Sequence, residues 1–436
     1  MTRRRFLAAL QLPPRPNIIF ILADDLGWVD LSCYGNRQIK TPRLDRFASQ
    51  DSLFTQFYVC GSVCSPSRTA STTGQFPARH RIHGHLATEA DNLRRGMPNF
   101  LDPAVPTLAR LLHQSGYATA HFGKWHLGRF TGAPLPTAYG FDVQRSIASN
   151  DDRQEEMAKG YRAQSSRLIV DDGLRFLDAL PAAKPFYLQL WMLLPHAPST
   201  PPKSNSPNSQ TTPQPSTVTH RGAHQTYFAS LRNLDDQIGR LLAELDRRNL
   251  AQDTIVLFSS DNGPEDIHVR NASHAAFGTP GPLRGRKRSL YDGGIRVPLI
   301  ARWPGKIPAA RVSLAGVCGA DFLPTLTKLA NVRYPANLDG EVRSPVLLGA
   351  NTPRRNPSSG SGASTSPATP QPQPYPRHPR RRLEAAHESG PLAPRTLRHG
   401  QGPLRTPRSR PPSPQDRRPP RRPSSRLAKD TAAGSH

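Results

Sequence analysis

The chain has little cysteine, no membrane-length apolar run and no internal repeat. Its 436 residues include four cysteines: Cys33, Cys60, Cys64 and Cys318. Thiols this sparse argue against a disulfide-stapled scaffold. Cys60 and Cys64 fall short of a zinc site, since no second pair of suitable spacing follows them. No segment reaches the ~18–20 apolar residues that a bilayer span needs, so no membrane partner is expected. The lack of a repeat excludes a solenoid or propeller array.

Acidic residues are also short. The chain carries 58 Lys+Arg against 32 Asp+Glu, a formal net charge of +26. Half of that excess sits in residues 351–436, which hold 17 basic residues, 4 acidic ones and 18 of the 47 prolines. With almost no large apolar side chain, this stretch cannot bury enough surface to offset its chain entropy. It reads as a disordered Arg/Pro-rich tail, and the basic excess therefore says little about the folded part. The run Arg417-Arg418-Pro419-Pro420-Arg421-Arg422 can attract polyanions non-specifically, but no specific nucleic-acid partner is expected. At the other end, Thr2-Arg3-Arg4-Arg5-Phe6-Leu7 looks like a twin-arginine export motif. Its apolar segment is cut short by Gln11 and Pro13-Pro14, so residues 1–15 read as a truncated leader. A periplasmic or extracellular destination is expected, with export itself left open.

What is present is a pattern of apolar runs that end in polar residues. Residues 17–25, Asn-Ile-Ile-Phe-Ile-Leu-Ala-Asp-Asp, fit a strand buried on both faces, with functional groups at its C-terminal end. Residues 253–262 repeat the design and finish in Asp261 and Asn262. A third such strand, Phe186–Leu194, leads into Pro195-His196. Between them, residues 104–115 place Val105, Leu108, Leu111 and Leu112 on one helical face. Residues 227–249 repeat Phe228, Leu231, Leu234, Ile238, Leu241, Leu242 and Leu245 at helical intervals. Alternating strands and helices predict an α/β fold with helices on both faces of a mostly parallel sheet. The Pro/Ser/Thr/Asn-rich stretch 198–220 reads as a flexible surface loop. Asp24, Asp25, Asp261 and Asn262 form an all-oxygen set of the kind a hard divalent cation takes.

Residues 64–74, Cys-Ser-Pro-Ser-Arg-Thr-Ala-Ser-Thr-Thr-Gly, resemble the signature of type I sulfatases. Four further segments resemble that family in its own order. They include Gly116-Tyr-Ala-Thr-Ala-His-Phe-Gly-Lys-Trp-His-Leu-Gly128 and Arg284-Gly-Arg-Lys-Arg-Ser-Leu-Tyr-Asp-Gly-Gly-Ile-Arg-Val-Pro298, in which Asp292 replaces the usual Glu. The resemblance spans about residues 16–350 and is strongest to the N-acetylgalactosamine-6-sulfatase-like and arylsulfatase A-like branch. It implies an alkaline-phosphatase-like three-layer α/β/α sandwich as the catalytic domain.

It also implies a mechanism. In this family the signature cysteine, here Cys64, is oxidised by a maturation enzyme to formylglycine, whose hydrate attacks the sulfur of a sulfate ester. Asp24, Asp25, Asp261 and Asn262 would bind Ca²⁺, or Mg²⁺, with modified Cys64 as a fifth ligand. Arg68, one helical turn beyond Cys64, Lys124 and Lys287 would hold the sulfate. His126 would act as base, and an extended backbone would point Lys124 and His126 the same way. His196 would serve the leaving alcohol. The expected substrate is a sulfated small molecule or glycan. With Cys64 modified, three thiols remain, an odd set. The family's smaller C-terminal domain is expected to be lacking after residue 350. Two other readings stand beside this one: a phosphodiesterase or phosphonate hydrolase of the same superfamily, and an inactive homologue that binds polyanions through its tail.

Overall fold

A computed structural model of the chain describes residues 15–128, 132–147, 161–196, 221–269 and 272–355. All of these belong to the first of two compact units, Met1–Pro367. The expected leader up to residue 14, the 198–220 loop and the tail beyond residue 355 lie outside the described residues.

Eight strands build the main sheet. In chain order they are β1 (Asn17–Asp24), β2 (Ser52–Phe54), β4 (Ala118–Lys124), β5 (Val143–Ile147), β6 (Phe186–Pro195), β7 (Thr254–Ser260), β8 (Leu299–Arg302) and β9 (Arg311–Ser313). β3 (Phe57–Tyr58) and β10 (Val317–Cys318) form a separate two-stranded ladder. The sheet order is β5-β4-β6-β1-β7-β8-β2-β9. All its neighbours pair in parallel except those on either side of β8, which runs against the rest. Sequence reading anticipated β1, β6 and β7 to within two residues. The short reversed strand at 299–302 lacks the long apolar run that marked the others, and went unread.

Each central strand feeds two cores by simple alternation. Ile19, Ile21 and Ala23 of β1 enter one core, with Val256 and Phe258 of β7 and Phe186, Leu188 and Leu190 of β6. Ile18, Phe20 and Leu22 enter the other, with Ile255, Leu257, Tyr187 and Trp191. The period-two geometry of a strand turns a continuous apolar run into two buried faces. Helices cover both. On the first face lie α1 (Pro42–Gln50), α4 (Tyr161–Asp178) and α5 (Arg221–Arg247); on the second, α3 (Leu108–Gln114) and α6 (Phe322–Leu329). This is the three-layer α/β/α sandwich.

The expected helix over 104–115 forms only from Leu108. There the Thr107 side chain accepts the Arg110 N–H and caps it, leaving Val105 in the preceding turn. Gly123 breaks the apolar rule in β4 for a reason. Its φ is +103°, and a Cβ there would stand 2.0 Å from the Trp191 carbonyl oxygen. Among the described residues, no helix is long and apolar enough to cross a membrane.

Candidate active site

β4, β6, β1 and β7 lie side by side and point the same way, so their C-terminal ends share one rim. Lys124 ends β4, His196 follows β6, Asp24 and Asp25 close β1, and Asp261 and Asn262 follow β7. The helix α2 (Cys64–Thr73) brings Cys64 at its first position and Arg68 one turn on. Pro66 is its third residue. Val63, the N-cap, contributes no side-chain cap. Lys287 arrives on the 284–296 loop, held backbone to backbone. Its N–H donates to the Pro264 carbonyl at 2.9 Å, the Arg288 N–H to Ser62 at 2.8 Å, and the Gly263 N–H to Gly294 at 2.9 Å. That approach excludes side chains: a Cβ on Gly263 would stand 2.0 Å from the Gly293 carbonyl oxygen.

All ten positions singled out from sequence therefore reach one rim or its immediate wall. Lys124 Nζ donates to both oxygens of Asp24 at 2.9 and 2.8 Å, and to Cys64 Sγ at 3.3 Å. Cys64 Sγ lies 3.5 Å from Asp24 Oδ1. Arg68, wholly buried, donates Nε and Nη2 to Asp261 Oδ2 at 3.0 and 2.7 Å. Its Nη1 reaches the Lys124 carbonyl at 2.7 Å, and its guanidinium lies 4.8 Å from the Trp191 ring centre. Lys287 Nζ donates to Asp25 Oδ2 at 2.7 Å, and His196 Nε2 lies 3.5 Å from the same oxygen.

His126 reaches this region by a different route from the one expected. The strand stops at Lys124, so side-chain alternation does not relate the two residues. Instead His126 takes φ +55°, and its Nε2 lies 3.1 Å from the Leu86 carbonyl oxygen. A sequence pattern cannot show where a strand yields to a left-handed turn. Asp25 (φ +66°) and Arg288 (φ +74°) share that backbone region, in which non-glycine strain concentrates at functional sites.

The electrostatics separate the two neighbouring aspartates. Burial works to raise both. At Asp24 the charges of Lys124, Arg68 and Lys287 outweigh it and hold the carboxyl below its ordinary range. At Asp25 burial wins over Lys287, and the group is pushed up to about 7. Burial, then the Asp261 charge, pushes the Cys64 thiol well up, so unmodified Cys64 is a neutral thiol and a poor nucleophile. His126 is held well below the usual imidazole range by burial and by the Lys124, Arg68 and His85 charges. It stays neutral, as a proton acceptor must.

The donor atoms suit a hard cation. One oxygen each from Asp24, Asp25 and Asp261 lies with Cys64 Sγ inside a span of 4.8 Å, all buried. Asn262 is also buried; its Nδ2 donates to Asp25 Oδ1 at 2.7 Å, while its Oδ1 has no hydrogen-bond partner among the described residues. Three carboxylates and an orphaned amide oxygen fit Ca²⁺ or Mg²⁺ chemistry. Asn262 Oδ1 would be one ligand; the sulfur position would become an oxygen after modification.

Three groups went unread in the sequence. Glu265, buried, places Oε2 3.3 Å from Lys287 Nζ and pairs through Oε1 with Arg288. His85 is pushed down to about 4 by burial and by Arg95, Lys287, Arg288 and Lys124. The Leu86 carbonyl holds His126. Glu265 lies three residues beyond Asn262, a spacing that offers no signal until the loop is folded.

Behind the site, His121 Nδ1 donates to Gln189 Oε1 at 2.7 Å within a ring of Trp125, Phe141 and Trp191. Burial depresses it to about 3. The unfolded chain takes up this proton below about pH 6.5, whereas the folded chain does not until about pH 3. Stability is therefore full above 6.5 and falls with acid, by about 1.4 kcal/mol per pH unit from this group. Denaturant midpoints from pH 7 to 4 should show a steeper loss in the native chain than in His121→Gln.

Comparison with known proteins bears on the family and the fold. The family model described as Sulfatase matches residues 16–332. The chain is 31% identical over 377 residues to N-acetylgalactosamine-6-sulfatase of Canis lupus familiaris, covering 79% of this chain and 68% of the relative. It is 34% identical over 389 residues to arylsulfatase A of Homo sapiens, covering 80% and 71%. The crystal structure of the PsFucS1 sulfatase from Pseudoalteromonas sp. superposes with a TM-score of 0.66 at 25% identity, covering 79% of this chain and 75% of that one.

Proposed function

Because the chain belongs to the sulfatase family and is a sulfatase enzyme, we propose that it cleaves the sulfate ester of a carbohydrate through a formylglycine made from Cys64. The observation that carries this reading is the convergence of four adjacent strand ends, the first turn of α2 and the 284–296 loop on one cluster. A maturation enzyme would supply the modification, since the buried thiol itself is a poor nucleophile. The hydrated aldehyde would supply one hydroxyl to attack sulfur as the S–O bond to the alcohol breaks and the alcohol leaves with a proton. Its second hydroxyl would give a proton to His126 as the C–O bond to sulfate breaks and the aldehyde re-forms.

Arg68, Lys124 and Lys287 set three positive charges about the sulfuryl oxygens as the bridging oxygen departs. The α2 N-terminus adds its partial positive charge. His196, 3.5 Å from Asp25 Oδ2, would donate a proton or hydrogen bond to the leaving alcohol. Asp24, Asp25, Asp261, Asn262 and modified residue 64 would hold Ca²⁺, or Mg²⁺, whose charge would orient the attacking oxygen and favour its ionisation. The twin-arginine-like segment favours work in the periplasm or outside the cell.

The test compares 4-nitrophenyl sulfate with bis(4-nitrophenyl) phosphate on protein produced with a maturation enzyme, before and after chelation. The sulfate should be the better substrate, and EDTA should lower turnover at least about tenfold, with Ca²⁺ restoring it. A strong preference for the phosphodiester would move the chain to the phosphodiesterase reading.

A further inference from the structure

Next to Lys287 the surface opens into a cleft of about 380 Å³ lined by Asp266, Ile267, His268 and residues 285–289. Nothing in the sulfate-handling chemistry uses its outer part. We propose that this cleft is a subsite for a second anionic group, a carboxylate or a further sulfate, carried by the leaving alcohol, and that Arg288 reads it. The proposal rests on the sulfatase reading for its location, since Lys287 forms part of both the cleft wall and the cluster at Asp25.

The charge arrangement favours an anion. Three successive cations, Arg286, Lys287 and Arg288, line the cleft against one lining carboxylate, Asp266. Glu265, buried behind them, is shared: one oxygen serves Lys287 and the other Arg288. Lys287 has a second carboxylate in Asp25, at 2.7 Å, so Arg288 is the cation of the pair that depends on the shared Glu265 alone. Arg286 is spent on structure, donating to the carbonyls of Glu265, Ala276 and Gly278. Arg288 is not. Its side chain is 41% exposed and is anchored through Nη1 alone. Among the described residues no other hydrogen bond engages its guanidinium.

The backbone fixes Arg288 in place. It holds a left-handed φ of +74° that an arginine adopts only under constraint, and its N–H is tied to the carbonyl of Ser62, two residues before Cys64. The loop that presents Arg288 is thus registered on the loop that presents the nucleophile. A guanidinium with a free edge, pinned at one side and facing an open cleft, is a fork suited to a carboxylate or sulfate. Ile267, 58% exposed, supplies an apolar patch on the same wall. The ligand is an alcohol that carries both a ring face and a second negative charge, such as a disulfated or uronic sugar.

The test is equilibrium binding to the full-length Cys64→Ala protein, which turns nothing over. Calorimetry should find galactose 2,6-disulfate bound at least about tenfold more tightly than galactose 6-sulfate, in line with one charge-assisted pair. Raised salt should shrink that margin. Arg288→Gln should draw the disulfate down to the affinity of the monosulfate, and Arg288→Lys should keep part of the margin. Equal affinities in the Cys64→Ala protein would overturn the subsite, as would a margin that survives Arg288→Gln. Turnover of 4-nitrophenyl sulfate by the unaltered chain judges the hydrolase reading separately. A disulfate preference without turnover would keep the subsite and reject the hydrolase; turnover without preference would do the reverse.

Discussion

Cys64→Ala should lower sulfate ester turnover by at least about 10⁴-fold, the scale on which removing a nucleophile collapses a site that acts as a unit. The fold should survive. Cys64 is a buried small side chain at the first position of α2, and alanine removes one sulfur. Its contacts with Asp24 and Lys124 leave those two residues paired with each other at 2.8–2.9 Å. Denaturant midpoints should therefore move little while activity disappears. Cys64→Ser should be nearly as inactive in turnover, because a serine that escapes oxidation gives at best a single sulfuryl transfer with no second hydroxyl to expel sulfate. Activity retained within tenfold in Cys64→Ala would remove Cys64 from the mechanism.

Arg68→Ala should fail in the opposite way, by losing the fold as well as the chemistry. Arg68 and Asp261 are both wholly buried, joined by two hydrogen bonds of 2.7 and 3.0 Å. Removing one partner leaves the other charge stranded, which typically costs about 3–5 kcal/mol. The loss also frees the Lys124 carbonyl and opens the space against Trp191. Arg68→Lys restores a charge but cannot span the same fork, so it should recover only part of the stability. Urea unfolding of the three proteins checks this. A shift below about 1 kcal/mol in Arg68→Ala would show that the pair is not the anchor its burial implies.

Much of this was legible in the residues themselves. Ile18–Ala23 and Ile255–Phe258 announced strands buried on both faces, because both alternating sets are apolar. Polar residues at the ends of those runs announced a site, because a sandwich of this kind leaves only its strand ends open. The motif spacing around Cys64, Lys124 and Lys287 gave the remaining positions by family resemblance. What stayed hidden depends on long-range contact. Glu265 acquires its role only when the 284–296 loop folds back over Pro264, and His85 only when residues 85 and 86 settle beside His126. His126 was found by resemblance, but the orientation expected for it had the wrong local reason. The strand ends at Lys124, two residues short of His126, and a left-handed turn performs the placement instead. The reversed strand β8 was missed because four residues carry too little periodicity to separate a strand from a loop.

In the proposed mechanism the chemistry depends on a side chain that the gene does not encode. Mass spectrometry of the peptide spanning residue 64, from active protein produced with a maturation enzyme, reads that side chain directly. Conversion of thiol to aldehyde lowers the peptide mass by about 18 Da, and the aldehyde should trap a hydrazine. The account predicts that the converted fraction and the turnover of 4-nitrophenyl sulfate rise together across preparations. Full turnover by protein whose Cys64 is entirely an unmodified thiol would contradict it.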